Sequence, residues 1–368
     1  MIYLDNGATS LHKPPRVYQA VANGMRRCAN PGRGGYPAAM YAAEVVLKCR
    51  ERAGQLFGCD PEQVVFTGNC TQGLNTAIRT LVKSGSRVVI SGFEHNAVTR
   101  PLRALGAKVT VAGRKLFDWE DTISQFQKAL EAGADVAVFT CVSNVFGYIL
   151  PVEELSRLCR KYQVPFILDA AQAAGYMRLN LQELGAAFIA MPGHKGLLGP
   201  QGTGILLCGM LPEPLIYGGT GSVSALQDMP DFLPDRAEAG TLNVPGIAGL
   251  SEGIAHILRV GEETILRREQ AEVVRLRRGL EKMNIRCFWG EHQGGTLSFL
   301  PDGDCEDVAE ALAKQGIAVR AGLHCAPLAH ESAGTLQRGT VRVSYGLDAS
   351  IQQTKNVLSG LKKALPKV

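Results

Sequence analysis

Lys195 stands where a charged side chain is least expected. It falls in AAFIAMPGHKGLLGPQGTG (Ala186–Gly204), between an apolar run and a series of glycines. Low-dielectric surroundings push an amine toward its neutral form, which is what a nucleophilic or Schiff-base lysine requires. A surface lysine on a glycine-rich hairpin has the same local pattern, so the reading leans on what lies upstream. There, VPFILDAAQAAG (Val164–Gly175) predicts a buried strand over Val164–Leu168 that runs into Asp169, with Gln172 shortly after. A carboxylate at the carboxyl end of a buried strand sits where open α/β sheets place their ligands.

An anion and an amine in that order suit pyridoxal phosphate (PLP), which takes an anion on its pyridinium nitrogen and an amine on its aldehyde. Other residues fall at comparable places. Gly68-Asn-Cys-Thr-Gln-Gly-Leu-Asn75 follows a short predicted strand and opens a helix. A glycine turn with Thr71 at a helix start offers free N–H groups to a phosphate, or Thr71 simply caps the helix. His95 and Asn144 come just past predicted strands; a lone histidine there is more often a packing residue, so convergence with Asp169 is what gives it weight. Cys325 lies in RAGLHCAPLAH (Arg320–His330), a glycine- and proline-punctuated loop flanked by His324 and His330, either of which could supply positive charge or take a proton; a packed or idle cysteine fits the same pattern and is the commoner case. Arg342, in the alternating strand TVRVS, either clamps a carboxylate or faces water.

These groups need a scaffold. Strand and helix alternate from Gln63 to Gly204, which argues for a mostly parallel sheet with helices on both faces. Beyond Gly204 come loops, then one long helix expected over about Gly246 to Met283. Strands at Gly295–Leu300, Ile317–Arg320 and Thr340–Tyr345 follow, with helices at Cys305–Lys314 and Ser350–Leu365: a smaller α+β domain. The expected division is an N-terminal arm (1–15) packing with the small domain, a large domain (16–245), and a connecting helix with small domain (246–368). The 368 residues, 46% hydrophobic and 20% charged, suit a soluble two-domain enzyme. A net charge of +5 spread over helix faces does not point to nucleic acid. With no signal-peptide pattern, no membrane-length apolar run and ten scattered cysteines lacking any Cys-x-x-Cys pair, no metal site is expected and the cytoplasm is the expected location.

The ordered motifs YLDNGATSLHKP, GNCTQGLN, FEHNAV, VSNVFG, LDAAQAAG, GHKGLLGPQGTG, EAGTLNVPG and RAGLHCAP together resemble the fold-type I, class V aminotransferase group of PLP enzymes. Within it the chain is similar to cysteine desulfurases of the SufS-like, group II kind, over nearly its full length. The resemblance implies a seven-stranded large-domain sheet, Lys195 as the Schiff-base lysine and Asp169 as partner of the pyridine nitrogen. It further implies Gln172 at the cofactor's phenolic oxygen, His95 stacked on its ring, and the Cys70 and Thr71 amides with His194 at the phosphate. Thr241 would reach the phosphate of a second subunit in a homodimer, and Asn144 and Arg342 would hold the substrate carboxylate. Cys325 would take sulfur from L-cysteine as a persulfide, leaving L-alanine, and pass it to an acceptor protein. Selenocysteine lyase acting on L-selenocysteine, a class V aminotransferase or other amino-acid lyase, and a non-catalytic sulfur-relay scaffold are the alternatives. Pro192 and Cys70 depart from the family pattern, in which hydroxyl side chains are usual at both positions.

Overall fold

The computed structural model describes residues 1–32 and 34–365. Strand β1 (Ile2–Tyr3) opens an arm that leads to helices α1 (Pro15–Arg27) and α2 (Pro37–Phe57). The large domain continues with β2 (Val64–Thr67), α3 (Cys70–Leu81), β3 (Arg87–Ser91), α4 (Asn96–Ala104), β4 (Lys108–Ala112), α5 (Trp119–Glu131) and β5 (Val136–Thr140). Helix α6 (Val152–Lys161), β6 (Phe166–Asp169), α7 (Leu181–Leu184), β7 (Phe188–Pro192) and β8 (Gly204–Cys208) complete it. Its seven strands lie in the order β2-β8-β7-β6-β5-β3-β4. The pairs from β7 through β4 are parallel, while β8 runs antiparallel to both neighbours.

Residue chemistry explains the layering. The central strands VAVFT and FILD are buried at every position, as strands covered on both faces must be, whereas edge strand β4 shows Lys108, Val109 and Thr110 to solvent. One face packs Leu74, Ile78, Val98 and Leu102 of α3 and α4; the other packs Val46, Phe126, Leu155, Ile247 and Leu250. The carboxyl ends of β5, β6 and β7 therefore share one edge.

The expected single helix from Gly246 to Met283 is two: α8 (Val244–Val260) and α9 (Glu262–Glu281). Gly261 separates them at φ +86°, a value that L side chains rarely adopt. Helix α8 packs on α1 and α2 in the large domain's helical layer, so the change of partners comes at Gly261 instead of residue 246.

The small domain follows with β9 (Arg286–Phe288), β10 (Thr296–Leu300), α10 (Cys305–Ala313), β11 (Ile317–Ala318), β12 (Arg320–Gly322), α11 (Pro327–Ala333), β13 (Thr340–Ser344) and α12 (Ile351–Ala364). An antiparallel sheet, β12-β13-β10-β9, packs against α9, α10 and α12 through Val273, Leu276, Leu312 and Val357. The expected strand Ile317–Arg320 is also divided. Ile317 and Ala318 pair in parallel with Ile2 and Tyr3 of the arm, while Arg320–Gly322 pairs with β13. Each piece has a different partner, and one straight strand cannot serve both. Among the described residues no helix is long and apolar enough to cross a membrane, and no three metal-ligating side chains are grouped.

Candidate active site

The carboxyl ends of β5, β6 and β7 open into a cavity lined by Cys70, Thr71, His95, Asn144, Asp169, Gln172, His194 and Lys195. Its empty volume is about 550 Å³. Two loops meet beneath it: a Cβ on Gly175 would lie 2.3 Å from the Gly196 carbonyl, and one on Gly196 equally close to that of Ala174. Only glycines let the segments after β6 and β7 touch in this way, bringing Asp169 and Lys195 to one cavity.

Asp169 is buried as the last residue of β6. Its Oδ1 accepts the Ala171 N–H at 2.9 Å and the Cys70 thiol at 3.7 Å. Oδ2 has no partner in the described chain and is left for the cavity. Burial pushes this carboxyl up, against the Ala171 bond and the charge of Lys195. The Lys195 amine makes no hydrogen bond within the described residues. Burial drives its pKa down, aided by Arg342 and opposed by Cys70 and Asp169.

The phosphate-cup expectation needs one correction. The cap of α3 is Asn69, whose side chain accepts the Gln72 N–H at 2.9 Å; Thr71 sits inside the first turn. Cys70 and Thr71 are the first two helical residues, so their N–H groups have no acceptor within the helix and point to the positive end of its dipole. The Cys70 side chain turns away from that end to Asp169.

Burial drives the two cavity histidines toward their neutral form. His95 accepts the Ala97 N–H on Nδ1 at 3.0 Å, capping α4, so its neutral ring carries the proton on Nε2. Burial, then Lys195, Arg100 and Arg342, lower it to about 4. His194 contacts Thr9 Oγ1 through Nδ1 at 3.0 Å, and burial with Lys195 and Lys13 lowers it to about 4. Burial disfavours the positive charge expected of His324 or His330 beside Cys325, which leaves proton acceptance as their other expected role. Burial holds His324 at about 2 and His330 at about 4, and the His330 ring lies 5.8 Å from that of His324 inside the protein.

Cys325 itself is exposed, on a loop in which His324 and Cys325 both have positive φ (51° and 57°). Asn96 N–H donates to the Cys325 carbonyl at 2.8 Å, and Asn144 Nδ2 donates to the His324 carbonyl at 2.7 Å. The loop is thus pinned beside His95 and Asn144. Arg342 is buried and already paired: Nη2 with Asp5 at 2.6 Å and Nη1 with the Asn144 carbonyl at 2.9 Å, while Nε has no partner among the described residues. Gln172 donates to the Gly7 carbonyl at 2.8 Å, tying the arm to the site. Thr241 does not line this cavity in a single chain; it lines a separate cleft with Thr220, the exposed Leu47 and the buried Arg50.

Two acidic residues escaped the sequence reading. Asp5 and Glu94 both lie inside quoted motifs, YLDNGATS and FEHNAV, but nothing local marks them as partners of Arg342 and of Thr140. Glu94 is fully buried, accepts the Thr140 N–H at 3.0 Å and bonds Ser91, and burial pushes it to about 8. Behind Lys195 a second cavity shares Gln172 and is faced by Glu269, buried without a hydrogen bond among the described residues and pushed by that burial to about 8.

A mostly parallel sheet with a lysine and an aspartate at adjacent strand ends, and a small domain closing over them, is the architecture of fold-type I, class V aminotransferases. The family model described as Aminotransferase class-V matches residues 2–357, and the chain belongs to that family. It is 31% identical to a probable cysteine desulfurase of Pyrococcus abyssi, over 99% of this chain and 94% of the relative. A probable cysteine desulfurase of Methanothermobacter thermautotrophicus is 32% identical, over 91% of this chain and 89% of that one. Among solved structures, the apo cysteine desulfurase from Thermococcus onnurineus superposes with a TM-score of 0.91 at 31% identity, covering 99% of this chain and 94% of that one. The cysteine desulfurase CsdA of Escherichia coli, at 23% identity over 99% of this chain and 94% of that one, shares the fold with a TM-score of 0.87.

Proposed function

We propose that the protein is a PLP-dependent cysteine desulfurase that converts L-cysteine to L-alanine and receives the sulfur on Cys325. The observation that carries this reading is one cavity holding an unpartnered lysine amine, an aspartate with Oδ2 open and a helix N-terminus, with an exposed cysteine loop pinned to its rim. The donor set fits the cofactor: Asp169 for the ring nitrogen, Lys195 for the aldehyde, and the Cys70 and Thr71 amides with His194 for the phosphate. Pro192 offers that phosphate no hydroxyl, so backbone amides carry more of the task.

When bound there, PLP supplies an electron sink for the substrate Cα–H bond. Lys195 takes the Cα proton on Nζ, a role favoured by the burial that makes its neutral form accessible. His95 forms a neutral wall of the ring site, with Nε2–H as its one donor. Arg342 and Asn144 orient the substrate carboxylate. The Cys325 thiolate then attacks the substrate sulfur: a sulfur–sulfur bond forms, the carbon–sulfur bond breaks, and its electron pair stays on Cβ, which takes a proton. Sulfur leaves Cys325 to a thiol of an acceptor protein. Thr241 lines a separate cleft and not the cavity of its own chain, which supports a homodimer in which it completes the site of the second copy.

The test is a visible spectrum of purified protein, followed by L-cysteine with a thiol reductant and assays for sulfide and alanine. A yellow protein that yields both supports the reading, and Cys325→Ala should keep the colour and lose sulfide. A yellow protein inert toward L-cysteine but active on L-selenocysteine would replace it with selenocysteine lyase.

A further inference from the structure

Asp169 must present one oxygen to the cavity, and the chain fixes which one. Both donors that reach it, the Ala171 N–H and the Cys70 thiol, fall on Oδ1, leaving Oδ2 free. The two arrive from different elements: Ala171 from the turn after β6, Cys70 from the first turn of α3. Cys70 is buried in the same apolar cluster as Leu74, Ala77 and Ala190, and Asp169 is the one hydrogen-bond partner of its Sγ among the described residues.

We propose that Cys70 is a positioning residue for Asp169: its thiol stays protonated and donates to Oδ1, fixing the carboxylate rotamer and holding Asp169 ionised with Oδ2 toward the cofactor ring. The inference rests on the desulfurase reading for what Asp169 does, but not for the bond itself. Burial and the negative charge of Asp169 raise the Cys70 thiol well above its ordinary value, so it serves as a donor and not as a nucleophile. A donor to a carboxylate stabilises the ionised form. Other charges near Asp169 pull in both directions: Lys195 after β7 favours ionisation, and Glu94 before α4 and Cys141 after β5 lie close enough to feel its field. A thiol bond is worth about 1 kcal/mol, or roughly fivefold in an equilibrium.

Two measurements test this. The first needs no turnover: alkylation of Cys70 in the full-length protein at pH 8, followed by peptide mass spectrometry, in wild type and Asp169→Asn. Loss of the neighbouring anion should speed Cys70 labelling at least about threefold by releasing its proton; equal rates would overturn the contact. The second uses the holoenzyme. Cys70→Ala should lower kcat about fivefold at unchanged KM for L-cysteine and move the acid limb of the pH profile upward, with Cys70→Ser restoring both. A Cys70→Ala enzyme with wild-type kcat and pH profile, or a Ser variant no better than Ala, would overturn the positioning role. Failure of the whole desulfurase reading shows instead as no sulfide from wild type with the labelling difference intact.

Discussion

Arg342 and Asp5 meet at 2.6 Å across 337 positions of chain, in a site where the guanidinium is 3% and the carboxylate 19% exposed. The pair means that the group proposed to hold the substrate carboxylate is already neutralised when substrate arrives. In the proposed role substrate would share Arg342 with Asp5, through N–H donors that Asp5 and the Asn144 carbonyl leave unused. Arg342→Ala should raise KM for L-cysteine by at least tenfold, and Arg342→Lys should recover little, because a point charge cannot serve Asp5, Asn144 and substrate together. Asp5→Asn should do two opposite things: lower KM by freeing the guanidinium, and destabilise the fold by about 3 kcal/mol because a buried cation loses its counter-charge. Steady-state kinetics and urea unfolding read these separately; a rise in KM for Asp5→Asn would show that the aspartate assists substrate binding instead of competing for it.

Asn144 is better placed to hold the Cys325 loop than its proposed substrate role alone would require. Its Nδ2 bonds the His324 carbonyl in a stretch where two successive non-glycine residues have left-handed backbone, a conformation that surrounding contacts must maintain. Asn144→Ala removes one of two pins. Amide hydrogen exchange over residues 321–326 should quicken, and kcat should fall several-fold with the cofactor absorbance unchanged. Exchange at the wild-type rate would place the restraint with Asn96 alone.

Stability should depend on pH in two opposed ways. Glu94 and Glu269 sit at about 8 in the fold against 4.5 when free, so their stabilisation is complete below 4.5 and is lost as pH rises through 8. His95, His194, His324 and His330 are lowered, so their contribution is present above 6.5 and is lost as pH falls toward 4. Between pH 6.5 and 8 the histidines are neutral in both states, and of these groups the carboxyls alone act. Urea midpoints should fall across that window, and Glu269→Gln should shrink the fall; an identical slope in the variant would remove Glu269 as a contributor.

The sequence was most legible where chemistry and local pattern coincide. Strand β6 reads from FILD because a strand covered on both faces has to be apolar throughout, and Asp169 and Lys195 then stand out as the charged residues that such packing does not explain. Long-range partners left no such trace: neither Asp5 with Arg342 nor Cys70 with Asp169 has a spacing that any helix or strand would repeat. Periodicity also failed to mark Gly261, because apolar residues continue at helical spacing on both sides of it while the backbone turns. The histidines beside Cys325 misled for a related reason, since adjacency in sequence says nothing of burial, and burial decides their charge.

The arm has a consequence for the order in which the molecule is made. Ile2 and Tyr3 pair with Ile317 and Ala318, Asp5 with Arg342, and the Gly7 N–H with Ser344 Oγ, while Gly7 also receives Gln172. The arm therefore waits for residues more than three hundred positions later, Ile317 to Ser344, before it can dock. A partly synthesised chain can assemble the parallel sheet and place Lys195 near Asp169, yet Arg342 and the small-domain strands that seat the arm are still missing. Completion of the cavity is thereby coupled to synthesis of β11 and β13, and a chain halted before them would carry an open, unfinished pocket.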